Sequence, residues 1–397
     1  MATQGTPEAE FKKLAVSNQN QMMFISFDGS QFIISGRYVR DGWLPSWILF
    51  KGPNLMYAIN PLGTDTSLLH IVPDYSPEAN KRRDNWATGK SELDIAIFRN
   101  RLFADSPFFA GNAQGSKGGV HLEFNADQTR IVEASFFSGM IDIWDSSAAD
   151  GSLKLIKSLS VPGDPSPGQK QHYPHQAVLD PTGRFFVVPD LGGDSLIVID
   201  SKDDAYEIIS TKRVPTGVGP RHVAFITNRG THYLIVVTEF SSEIFLYMVH
   251  YMGDLILFQG FERQPTWATR PSNSKSRPAE VVVSRNQRAV YVSNRDTDDE
   301  TDNIAHFVFD DSDDNVSLQY AGKVSTGGRQ PRSFCLSNDP DQEYLFVSNE
   351  TGRYGLQAYK RDTGVGSINP TPVATMLNRD LNAPGLKGQG PHFVCEM

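Results

Sequence analysis

Cysteine is nearly absent from this chain of 397 residues, with only Cys335 and Cys395 present. Both lie inside apolar, strand-like runs (SFCLS and HFVCE), where a thiol behaves as a small buried hydrophobe, so a disulfide scaffold is not expected. Positive charge is also scarce: 37 Lys and Arg against 46 Asp and Glu leave a formal charge of −9. That balance argues against a nucleic-acid backbone as partner, yet leaves room for a small anionic substrate held by a few local arginines. No apolar run approaches the length of a bilayer-spanning helix, and the opening stretch MATQGTPEAEFKKLAVSNQNQ lacks the basic-then-apolar plan of a signal peptide. A soluble, cytoplasmic protein with no membrane contact is the expectation. Also missing are HExxH, GxSxG, a Walker-type loop, a dinucleotide fingerprint and a CxxC pair. Their absence weighs against zinc protease, serine hydrolase, nucleotide-binding and redox chemistry, and neither a cofactor nor a metal site is expected.

What the chain has is a repeated phrase: an anchor residue, a short apolar strand, a polar or glycine turn, and a second strand with a polar tip. PHQAVLDPTGRFFVVPDLGGDSLIVID is followed by PRHVAFITNRGTHYLIVVTEFSSEIFLY, RPAEVVVSRNQRAVYVSNRDTDDETDNIAHFVF and QPRSFCLSNDPDQEYLFVSNETGRYGLQAYK. The 24 Phe, 13 Tyr and 33 Gly suit strands that turn often. Such units cannot bury both faces alone, so a periodic array means stacked or radially arranged sheets. Anchors fall near Trp47, His121, His175, Arg221, Glu280, Arg332 and His392, at intervals of roughly 45 to 75 residues, the scale of a four-stranded propeller blade with variable loops. The chain therefore reads as an all-β, seven-bladed β-propeller of four-stranded antiparallel blades. Only one strand follows the last anchor, so the strands FISF and QFIISG near the N-terminus are expected to complete that blade and close the ring. Residues 1–20 read as a tail or capping segment, residues 21–397 as the propeller, and 76–116 as an elaborated loop with one short helix.

The phrases PHQAVLDPTGRFFVVPDLGGD, GPRHVAF with VVTEFSSEIFLY, AVYVSNRD, and GGRQPRSF with LFVSNE resemble the lactonase family of seven-bladed propellers. That family takes in bacterial 6-phosphogluconolactonase and the fungal carboxy-cis,cis-muconate cyclase. The resemblance runs from about Gly118 to the C-terminus and is thin before it. It implies a cofactor-independent enzyme with a catalytic set of one histidine, two arginines and a glutamate around the central channel. By motif these are His175 of PHQAVLDP, Arg221 of GPRHV, Glu239 of VVTEF and Arg295 of VSNR.

Those residue types suit opening or closing a lactone ring. A histidine shuttles the proton, and two guanidiniums clamp a carboxylate or phosphate while offsetting oxyanion charge. Glu239 orients an arginine, holds a hydroxyl or acts as base. An ion pair with Glu239 is the alternative use of Arg221 and Arg295. His172, His222, Arg332, Trp47 and His121 form a second group expected at the substrate, with packing between blades as the alternative for His222 and Arg332 and solvation for His172. Asp190 and Asp194 read as turn formers, and the acidic run from Asp296 to Asp302 as a solvated loop. Two rival functions stay open. One is a secondary-metabolite cyclase, pericyclic ring formation included, that uses the channel as a mould walled by Trp86, Phe136, Phe137 and Trp267. The other is a non-catalytic propeller that presents its face to a protein.

Overall fold

The computed structural model describes residues 11–73, 105–267, 275–312, 316–382 and 389–397. These residues build seven four-stranded antiparallel sheets arranged as propeller blades. The inner strands are Trp47–Lys51, Gly119–Phe124, Val178–Leu179, Pro220–Asn228, Arg277–Val283 and Ser333–Leu336 in blades 1 to 6, and Phe393–Glu396 in blade 7. Neighbouring blades touch all the way round, inner strand to inner strand except between blades 3 and 4, where Phe185–Asp190 meets Pro220–Asn228, and this closes the ring. Among the described residues the departures from strand and loop are a 3-10 turn at Lys202–Asp204 and a helical turn at Asn378–Leu381. None of the described helices is long and apolar enough to cross a membrane.

The sequence forms these sheets because its middle strands are apolar on both faces. Along Phe185–Asp190, Phe185 and Val187 enter the cluster shared with blade 4, while Phe186 and Val188 enter the one shared with blade 2. A period-2 strand buried on both sides reads as a continuous apolar run, which is why FFVV, LIVV and AVYV recur. Among the described residues seven such clusters occur, one in each wedge between neighbouring blades.

Blade 7 closes the ring as anticipated, with one strand more from the N-terminus than the two expected. Phe393–Glu396 pairs with Lys12–Asn18, which pairs with Gln21–Phe27, and that strand with Phe32–Val39. The expected tail of residues 1–20 thus contains a core strand, whose Leu14, Ala15 and Val16 are fully buried. The expected 76–116 loop is likewise shorter: Asp105–Gln114 is the outer strand of blade 1, paired with Asp65–Pro73. The rest of that segment, with KRRDNWATGK and Trp86, lies outside the described residues.

Candidate active site

Each blade repeats the same strand order, so the anchors that begin the inner strands collect at one end of the ring. In blade 4, Pro220 lies opposite Thr238 and His222 opposite Val237, leaving Arg221 as the extra residue of a β-bulge. A bulge turns one side chain out of the strand's alternation. Here it brings Arg221 to Glu239, the residue just beyond the end of the neighbouring strand, and Arg221 Nη1 donates to Glu239 Oε2 at 2.5 Å. The approach to the bulge is held from blade 3, where the buried Asp194 carboxylate accepts from Gly217 N (2.7 Å) and Gly219 N (2.8 Å). Gly219 has φ +63° and lies against the ring of Phe240, so backbone and space both call for glycine.

Arg295, the last residue of blade 5's second strand, reaches the same Oε2 at 3.1 Å. One carboxylate therefore holds two guanidiniums, and all three groups are buried. Burial pushes the Glu239 carboxyl upward, but Arg221 and then Arg295 outweigh it and hold its pKa at about 2. Burial lowers both guanidiniums from their usual value, with Arg221's charge adding to the effect at Arg295. They stay charged at neutral pH because that usual value is so high. Beside them, burial and then the charge of Arg221 push His175 well below the ordinary imidazole pKa, so its ring is neutral. His175 Nδ1 and Arg221 Nε are both buried without a hydrogen-bond partner, and unmatched polar atoms at such depth are uncommon.

A group of rings adjoins this cluster through His175. The ring of Trp47 sits 4.0 Å from that of His121, 5.0 Å from Phe393 and 6.2 Å from His222, and the His175 ring is 5.1 Å from His222. Blades 1 and 4 are not neighbours, so the Trp47–His222 contact runs across the ring. Burial and then His222 push His121 well below its usual pKa. His222 Nδ1 is bound to Glu280 Oε1 at 2.8 Å.

The remaining sequence-derived residues divide. Arg332 joins the cluster's edge, its Nε on Glu350 Oε1, which also binds His392 Nδ1 at 2.8 Å. Its side chain is 43% exposed, against 7% for Arg221 and 4% for Arg295. The two arginines expected to clamp the substrate are thus buried on Glu239, while Arg332, paired with Glu350 through Nε, keeps the rest of its guanidinium exposed. His172 does not join the cluster: Nδ1 pairs with Asp190 Oδ2 at 2.6 Å and Nε2 with Gly163 O at 3.0 Å, so it fastens a loop. The acidic run is not a merely solvated loop either. Asp302 is buried and accepts from Thr297 N and Gln330 N, while Asp296 pairs with Arg277 and Asp299 with Lys323.

Glu280, Glu350 and His392 belong to the polar cluster, although from the sequence Glu280 and His392 read only as blade anchors and Glu350 had no role. A signal for Glu350 was present: it follows Asn349 as Arg295 follows Asn294, and both asparagines donate to the carbonyl of a threonine in the preceding blade.

A family model described as "Lactonase, 7-bladed beta-propeller" matches residues 94–379. The 6-phosphogluconolactonase of Bacillus subtilis is 29% identical over 258 residues, covering 64% of this chain and 70% of its own. An uncharacterised protein of Staphylococcus saprophyticus is 27% identical over 299 residues, 71% of this chain and 79% of its own. Among solved structures, the periplasmic gluconolactonase of Pseudomonas aeruginosa has a TM-score of 0.71 at 18% identity, covering 98% of this chain and 99% of its own, a likeness of fold.

Proposed function

The chain belongs to the lactonase family of seven-bladed β-propellers, and from that membership we propose that it hydrolyses a lactone at the cluster gathered around Glu239. The observation that carries this reading is the pair of guanidiniums pinned by one carboxylate beside a neutral, buried imidazole. In the reaction a water oxygen bonds to the lactone carbonyl carbon while its proton passes to the neutral His175 ring. The charge that develops on the carbonyl oxygen faces Arg221 and Arg295, whose positions Glu239 fixes in advance. When the ring C–O bond breaks, His175 returns the proton to the departing oxygen, giving a hydroxy acid. Glu239, ionised and doubly paired, is a positioning residue and not the base. A carboxylate or phosphate on the substrate is taken by the exposed Arg332. The 29% identity to a protein named 6-phosphogluconolactonase supports hydrolysis over ring-closing isomerisation.

The test is acid release from a panel of aldonolactones, phosphorylated lactones and aryl lactones, followed by pH indicator. We expect turnover of at least one class, with His175→Ala lowering kcat by at least about a hundredfold while the melting temperature changes little. A protein that opens none of them, or a His175→Ala variant as active as the parent, would end this reading.

A further inference from the structure

On one side of the cluster the wall is neither charged nor polar. Phe136 and Tyr173 stack with centroids 4.7 Å apart and planes 27° from parallel. Phe136 also meets His175 edge-on at 5.5 Å and Phe137 at 5.3 Å. Phe137 is 52% exposed, and Phe136 and Tyr173 are each partly exposed. The result is a continuous aromatic surface running from solvent to the imidazole. A single exposed ring needs no explanation, but three joined rings beside a buried polar centre do.

The wall is also held in place. Phe136 N donates to Gly118 O at 2.7 Å, and Gln171 Nε2 donates to Phe137 O at 2.8 Å. Gly118, at φ +82°, lies directly against Phe137, where a Cβ would collide with the ring. Tyr173 N donates to Asp190 Oδ1 at 2.7 Å, and the same carboxylate holds His172 and Gly192 N. The His172–Asp190 pair that stays out of the polar cluster therefore positions this wall. Across the site the surface is cationic, with Arg332 open to solvent.

We infer that the substrate is a lactone bearing an aromatic ring, seated with that ring against Phe136 and Tyr173 and its lactone carbonyl toward Arg221 and His175. Offset or edge-on ring contacts at 4.5 to 7 Å are the geometry aromatic groups favour, and the spacing already present between the wall's own rings falls in that range. A sugar lactone can lay only its small C–H face on this wall, so it buries less apolar area there than a fused aromatic ring does.

This inference rests on the lactone-hydrolysis reading, and its test separates the two. Initial rates are measured on dihydrocoumarin and δ-gluconolactone for the parent, Phe136→Leu and Tyr173→Leu, with melting temperatures as a folding check. The parent is expected to prefer dihydrocoumarin, and the ratio of the two kcat/KM values is expected to fall about tenfold in each variant, mainly through KM. A parent that prefers δ-gluconolactone, or variants that leave the ratio unchanged, overturn the inference. If neither of these lactones nor any other member of the panel is opened, the hydrolysis reading falls, and the wall is judged by binding of fluorescent coumarin-3-carboxylate. Binding weakened about tenfold by Phe136→Leu supports it, and no binding or an unchanged Kd refutes it.

Discussion

At the scale of the residue, Glu239 governs the site more than the histidine beside it. Removing its charge leaves Arg221 and Arg295 as two neighbouring buried cations, and breaking a buried pair of this kind costs about 3–5 kcal/mol. Glu239→Gln is expected to lower the urea midpoint accordingly, with little change in the m-value. The same carboxyl sets an acid dependence. Its folded pKa of about 2 lies below the ordinary 4.5, so its contribution to stability is present above pH 4.5 and is lost as pH falls from 4.5 toward 2. The parent should lose stability across that window more steeply than Glu239→Gln. His175 is likewise depressed from 6.5, so the acid limb of kcat/KM should lie below pH 6.5, and a limb near 7 or above would contradict a neutral buried base. The identities of the four central residues were legible from short motifs, but their division of labour was not. Which cation stays open depends on the bulge at Arg221 and on a carboxylate reached from two different blades, and neither leaves a mark in linear spacing. The pairing of His172 was hidden for a similar reason: DLGGD is visible as a turn, but its bond to a histidine 18 residues earlier is not.

At the scale of the element, the strand Lys12–Asn18 carries more weight than its length implies. Leu14 and Val16 fill the wedge with blade 6 and Ala15 the wedge with blade 1, and all seven of its residues pair with Gln21–Phe27. A variant lacking residues 1–18 would leave Phe393–Glu396 unpaired and two adjoining sheet edges open, a ready template for association. Such a variant is expected to lose near-UV circular dichroism and elute as aggregate in size exclusion, and a folded monomer would show the strand to be dispensable. The seven anchors could be counted in the sequence because each begins an apolar run with a turn behind it. This strand could not, because its apolar part is only LAV between two lysines and the polar SNQNQ, and the partner that makes it a strand lies at the opposite end of the chain.

At the scale of the whole molecule, the two ends meet: Met397 N donates to Lys13 O at 2.8 Å. A circular permutant that links residue 397 to residue 11 through a short flexible peptide and opens between residues 40 and 46 would make every blade from contiguous strands. It should fold, keep its lactone turnover, and unfold in a single transition like the parent. Two separated transitions would mean that the joint contributes more than continuity. In the natural order the consequence appears during synthesis. Three strands made before blades 1 to 6 must wait, edge unsatisfied, while the ribosome delivers those six complete blades, and they are satisfied only when Phe393–Glu396 emerges. A chain arrested before Phe393–Glu396 is an open ring with an adhesive border, the state in which this architecture calls for chaperone protection.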